Sequence, residues 1–151
     1  MSTIANEYDA LVSVIEAAVP SRVYDGAPRF RLDPAAFEES EVALRAYTRA
    51  FILLPLGDRQ WQGEIAEQPE LRGITQTLQL VMLYRRGQQT AETMKAILED
   101  QDTLAAAIAL PSTYSENVSL RRIGSPSIAI PSGATDGLTM LMPITITYDA
   151  E

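Results

Sequence analysis

The chain has 151 residues, 46% of them hydrophobic and 21% charged, and a formal net charge of −8. That length suits one domain, which can bury roughly 70% of its unfolded surface and so needs neither a metal nor a disulfide to fold. Cys and His are both absent, which excludes disulfides, thiolate metal sites, cysteine nucleophiles and a Ser-His-Asp triad; the acidic balance argues against a surface that holds duplex DNA.

No apolar run reaches the about 18 residues of a membrane span, and the N-terminus lacks a basic region followed by an apolar stretch. The expectation is an intracellular or virion protein with no membrane partner. Residues 3–19 read as an amphipathic helix, with Ile4, Tyr8, Leu11, Val12, Ile15 and Val19 on one stripe. Asn6, Asp9, Ser13 and Glu16 lie opposite. Ser2 or Thr3 can cap its start and Pro20 marks its end. RVYD (22–25) is read as a short strand. Asp33-Pro34 opens a short helix, a carboxylate at the N-cap before proline at the first helical position. Glu38, Glu39 and Glu41 follow, oxygen ligands of the kind Mg²⁺ takes; a solvated helix face explains them as well and is preferred.

AYTRAFILLP (46–55) predicts a strand, with Tyr47, Arg49, Phe51 and Leu53 on one face and Thr48, Ala50, Ile52 and Leu54 on the other. The Gly- and Pro-rich stretch 55–73 reads as a long connection and holds the single Trp, Trp61. Long loops inside a compact domain are usually functional or disordered, and aromatic residues are enriched at interfaces. Trp61 is therefore a candidate contact, with folding back onto its own domain an equal alternative. ITQTLQLVMLYRR (74–86) alternates throughout its length. Thr90 then starts a helix to about Leu110, with Met94, Ile97, Leu98, Gln101, Leu104, Ala105 and Ile108 on one stripe. Gln101 in mid-stripe needs a hydrogen-bond partner or an edge position, and Pro111 stops the helix.

The last third returns to strands. NVSLRRI (117–123) alternates, GSP (124–126) is a kink or bulge, SIAIP (127–131) resumes, and SGATDG (132–137) turns into LTMLMPITITYD (138–149). Pro143 cannot donate to a ladder, so it belongs on an edge, at a bulge, or where the N–H would face outward. The expected fold is α+β: a single mixed or antiparallel sheet of four to five strands with two main helices packed on one face. The strands around 55–73 pair antiparallel, the last two form a hairpin, and the helix at 90–110 is a crossover that lets its flanking strands lie parallel and adjacent. Leu78, Leu80, Met82 and Tyr84, with Leu138, Met140, Met142, Ile144 and Ile146, face the helices. Thr75, Thr77, Gln79, Val81 and Leu83, with Thr139, Leu141, Thr145 and Thr147, face out.

Catalytic signals are missing. Lys95 is the only Lys and has no glycine-rich loop before it, and neither a dinucleotide fingerprint nor a G-x-S-x-G elbow occurs. Ser125 has no local base, and Glu99 with Asp102 reads as solvated charge. The sequence thus predicts no enzyme and no catalytic, cofactor-binding or metal-binding residue.

The N-terminal helix TIANEYDALVSVIEAAV, the strand RAFILLPLG and the long strand ITQTLQLVMLYRRG lead into the helix TAETMKAILEDQDTLAAAIAL. The closing pair is LRRIGSPSIAI and LTMLMPITITYDAE. Over nearly the whole chain this order resembles the tail terminator (tail-completion) proteins of long-tailed bacteriophages. The resemblance implies a structural virion protein that forms a homo-oligomeric ring, usually a hexamer. The ring would cap the head-proximal end of the tail tube, joining the tube protein to a neck or head-completion protein. DNA would pass through its lumen without specific binding, no cofactor would be needed, and assembly would occur in the host cytoplasm. No functional residue carries over, because the likeness lies in element order. Within that reading Trp61, Arg85, Arg86, Arg121 and Arg122 are the candidate interface, with ordinary surface charge the alternative for the arginines. Another neck, head–tail joining or tail-tube component, or a small-molecule binding module, is the other class of reading; the long helix after Gly87 argues against a tube subunit.

Overall fold

The computed structural model describes residues 2–37, 48–62, 73–85, 90–129 and 137–149, with backbone alone at 58–62. Helix α1 (Thr3–Ala17) leads to β1 (Arg31–Leu32) and a 3-10 turn at Pro34–Phe37. Strands β2 (Ala50–Gln62) and β3 (Gly73–Arg85) precede α2 (Thr90–Ala109) and a second 3-10 turn at Pro111–Thr113. Strands β4 (Val118–Ile123), β5 (Ser127–Ala129) and β6 (Gly137–Asp149) complete the chain. The class is α+β as expected, with six strands in one mixed sheet rather than four or five.

The sheet order is β1-β2-β3-β6-β4, and β5 also pairs with β6. Among the described strands only β1 and β2 run parallel; the other pairings are antiparallel. The strands flanking α2 are not neighbours, which corrects the expected adjacency: β6 lies between β3 and β4. Length decides this. The ladder of β3 with β6 runs from Gly73 opposite Asp149 to Arg85 opposite Gly137, along the whole of both strands. The six residues of β4 can satisfy fewer than half of those backbone groups.

Two connections differ from expectation. Strand β2 continues past Pro55 into the supposed loop as far as Gln62, with a register shift between Leu56 and Gln60. Gly57 (φ +74°) sits at that shift, where a bulge needs a left-handed backbone. Trp61 therefore has its backbone in the ladder opposite Ile74 and not in a loop. RVYD is a turn closed by a Tyr24–Ala27 bridge, with Asp25 and Gly26 both at positive φ; the short strand is Arg31–Leu32 instead. Glu38, Glu39, Glu41 and Tyr47 lie outside the described residues.

Both helices cover one sheet face. The inward residues of β3 and β6, Leu78 to Tyr84 and Leu138 to Ile146, are buried as their alternation predicts. The helices are rotated slightly from the expected stripes. In α1 the buried row is Thr3, Glu7, Leu11 and Ile15, four-residue steps that a single helix face allows, while Val19 is 61% exposed. The Ser2 hydroxyl caps this helix by accepting the Ala5 N–H at 3.2 Å. In α2 the buried set is Thr93, Ala96, Ile97, Asp100, Leu104 and Ile108. The polar residues that α2 buries are thus Thr93 and Asp100 and not Gln101, and Leu98 is 56% exposed.

Pro143 lies in a strand with neighbours on both sides. Its carbonyl accepts the Gly124 N–H at 2.8 Å, so its ring nitrogen faces the break between β4 and β5, where no ladder donor is required. This realises the bulge alternative. A Cβ added at Gly124 would lie 2.7 Å from Pro143 Cγ; glycine here is required by close approach.

Candidate functional site

Two arginines that alternate with apolar strand residues point into the core, and each finds a carboxylate on a helix. Arg49 is completely buried. Its guanidinium donates to both oxygens of Asp100, at 2.8 and 2.9 Å, and to the carbonyls of Arg22 and Ala27 at 2.8 and 2.7 Å. The Tyr84 hydroxyl donates to the same carboxylate at 2.5 Å. Arg49 has φ +66°, a strained backbone for a side chain of this size, held by these bonds and by its N–H to the Leu83 carbonyl at 2.7 Å. Burial pushes the Asp100 carboxyl above its ordinary range, against the downward pull of Arg49 and Tyr84. Burial first, then the Asp100 charge, pushes Tyr84 well above the usual tyrosine value.

The second clamp joins α1 to β4. Arg121 donates to Glu7 at 2.6 and 2.9 Å, to the Ile108 and Thr113 carbonyls at 3.0 and 2.8 Å, and to the Thr113 hydroxyl at 2.7 Å. Its guanidinium also lies 4.8 Å from the centre of the Tyr114 ring, within cation–π range. In both clamps the charged side chains are fully buried and spent on protein partners. A substrate has no access to either set. Their work is to fix the helices on the sheet: replacing such a pair by apolar residues is often neutral, whereas removing one partner costs about 3–5 kcal/mol.

The proposed contact residues therefore separate. Arg121 is corrected from interface to core, because an inward strand position under a helix carboxylate removes it from solvent. Arg85 is half-exposed and paired with Asp25, whose other oxygen accepts the Thr48 hydroxyl at 2.6 Å; it holds the turn at 24–27. Arg122 is exposed on the outward side of β4, opposite Thr145. Arg86 and the side chain of Trp61 lie outside the described residues. Among the described residues, no three acidic side chains gather as a cation would need.

Among the described residues, no helix or strand covers the far face of the sheet. Ile52, Val81, Leu141 and Ser127 stand side by side across four strands, and Leu54, Gln79 and Pro143 form the next row. Leu56, Thr77, Thr145 and Arg122 form the third, with the two threonine hydroxyls 3.0 Å apart. From Thr75 to Leu83 and from Thr139 to Thr147 the outward side chains are partly exposed and none is charged. The edge beside this face is blunted. Phe51 turns its carbonyl toward β1, accepting the Asp33 N–H at 3.1 Å, so Pro55, four residues on, faces the same edge, where none of the described strands pairs with it. It offers no donor there, and the Gly57 bulge follows. A neighbour would meet the face of β2 more readily than its edge.

No family model matches the chain, and no curated protein matches its sequence. Fold and surface together define a two-layer α+β domain whose buried arginines pair internally and whose second sheet face is covered by none of the described elements.

Proposed function

We propose that this chain is a structural virion protein of the tail-terminator kind: a subunit of a closed ring that caps the head-proximal end of a phage tail tube and joins it to the neck. The observation that carries this reading is that the described helices cover one side alone of a sheet built on three 13-residue strands. Its open face is wide, half-apolar and uncharged between Thr75 and Leu83 and between Thr139 and Thr147, which are properties of an interface core. Element order supports the same reading, since the N-terminal helix, long paired strands, single long helix and closing strands occur in the sequence of the resembling family. A net charge of −8 suits a ring through which DNA moves, because a strongly basic lumen would retain it.

Polymerising purified tail tubes with and without the protein tests the proposal. Electron micrographs should show a ring at one end of each tube and a halt to further growth at that end. Bare tube ends and unaltered growth at saturating protein would defeat it.

A further inference from the structure

We infer that two copies of this chain meet head to tail, the outer sheet face of one seating on the groove between α1 and α2 of the next. The groove lies on the opposite side of the domain from that face. It has a volume of about 470 Å³ and is lined by small and apolar residues, among them Ala10, Val14, Ala17, Ala18, Ala107 and Leu110. None of its lining residues is charged. The sheet face offers the matching protrusions: Leu54 and Leu56 are each 46% exposed and Leu120 is 41% exposed. Leucine knobs against an alanine-lined hollow allow the close approach that an interface core needs.

Charge favours this pairing. Two copies carrying −8 each repel at long range, so contact is least opposed where charge is sparse: the groove lining carries none, and among the described residues of the face Arg85, Asp149 and Arg122 stand at strand ends or on the marginal strand β4. Area permits it as well. Three 13-residue strands at about 3.3 Å per residue and 4.8 Å per strand project roughly 600 Å². With the outward side of β4 added, this approaches the about 800 Å² per partner of a stable interface.

The two surfaces differ, so the contact is heterologous, and repeated copies close into a ring or extend as a filament. Closure rests on the ring reading above; the head-to-tail contact itself needs no tail tube. Two substitutions at exposed positions separate the surfaces. Leu54→Lys charges the sheet face, and Ala17→Lys charges the groove at the end of α1, where a cation is tolerated. Thermal melting followed by circular dichroism checks that both remain folded.

Light scattering without tubes should show the wild-type chain assembled at high concentration and each variant alone monomeric. Mixed in equal amounts, the variants should form a dimer that grows no further, since each retains the surface the other lacks. Three results would overturn the inference: a wild-type chain that stays monomeric, variants that assemble as wild type does, or a wild-type dimer that mixing cannot restore, which would indicate sheet face on sheet face. An assembled chain that ignores tail tubes would keep this contact and remove the terminator reading alone.

Discussion

Asp100→Ala should be among the most damaging single changes in the protein. The carboxylate receives two hydrogen bonds from Arg49 and one from Tyr84, all in a fully buried setting. Alanine leaves a guanidinium without its counter-charge and a tyrosine hydroxyl without its acceptor. Breaking one side of a buried pair costs about 3–5 kcal/mol, a large part of the about 5–15 kcal/mol that holds a domain folded. At about 2–4 °C per kcal/mol for a chain of this size, Tm should fall by roughly 6–20 °C. The control is the double variant Arg49→Met with Asp100→Leu, which removes both charges and fills the space. It should recover most of the loss, though the Arg22 and Ala27 carbonyls lose their donor. Melting curves of both proteins decide the matter. A Tm drop under about 2 °C for the single variant, or a double variant as unstable as the single, would show that the clamp does not hold α2 to the sheet.

Other outcomes follow from the same contacts. Glu7→Ala strands Arg121 and should lower the urea midpoint by the equivalent of about 3–5 kcal/mol, with Glu7→Gln less damaging because it keeps an acceptor. Gly124→Ala forces a methyl against the Pro143 ring and should cost about 1–3 kcal/mol; adding Pro143→Ala should return most of it, and a cycle with no coupling would place the strain elsewhere. The folded chain holds the Asp100 proton above the ordinary value of 3.8, where the unfolded chain has lost it. That group's contribution is therefore full below about pH 3.8 and declines as pH rises toward its raised folded value. The Tm of wild type relative to Asp100→Asn should fall over that acid window and level off above it; a constant difference would contradict the burial effect. Tyr84 should stay protonated beyond the ordinary tyrosine range, so alkaline ultraviolet titration should show a late component that Tyr84→Phe removes.

The strands were readable because a one-sided sheet imposes a period of two, and β3 and β6 keep it along their full length. Their inward and outward sets come directly from that period. Strand neighbours were less readable: helix α2 suggested that β3 and β4 lie together, but a later strand long enough to pair with all of β3 took the place. The clamps were missed because buried charge breaks the apolar stripe used to orient a helix. Even so, a signal was present. Arg49 shares its inward side with Phe51 and Leu53, and Asp100 falls on the Ile97, Leu104 and Ile108 stripe. A charge at an inward strand position demands an opposite charge on the helix face above it. The same logic pairs Arg121 with Glu7. The end of β2 reads as a loop in the sequence because Gly57 and Pro55 are ordinary loop signals, and here they mark a bulge and a protected edge.

The central claim is that the uncovered sheet face serves assembly. Light scattering of the wild-type chain over a range of concentrations, with electron-microscopic class averages of the largest species, tests it most directly. Closed rings should form at high concentration or on added tube ends. A chain that remains strictly monomeric under both conditions would contradict it.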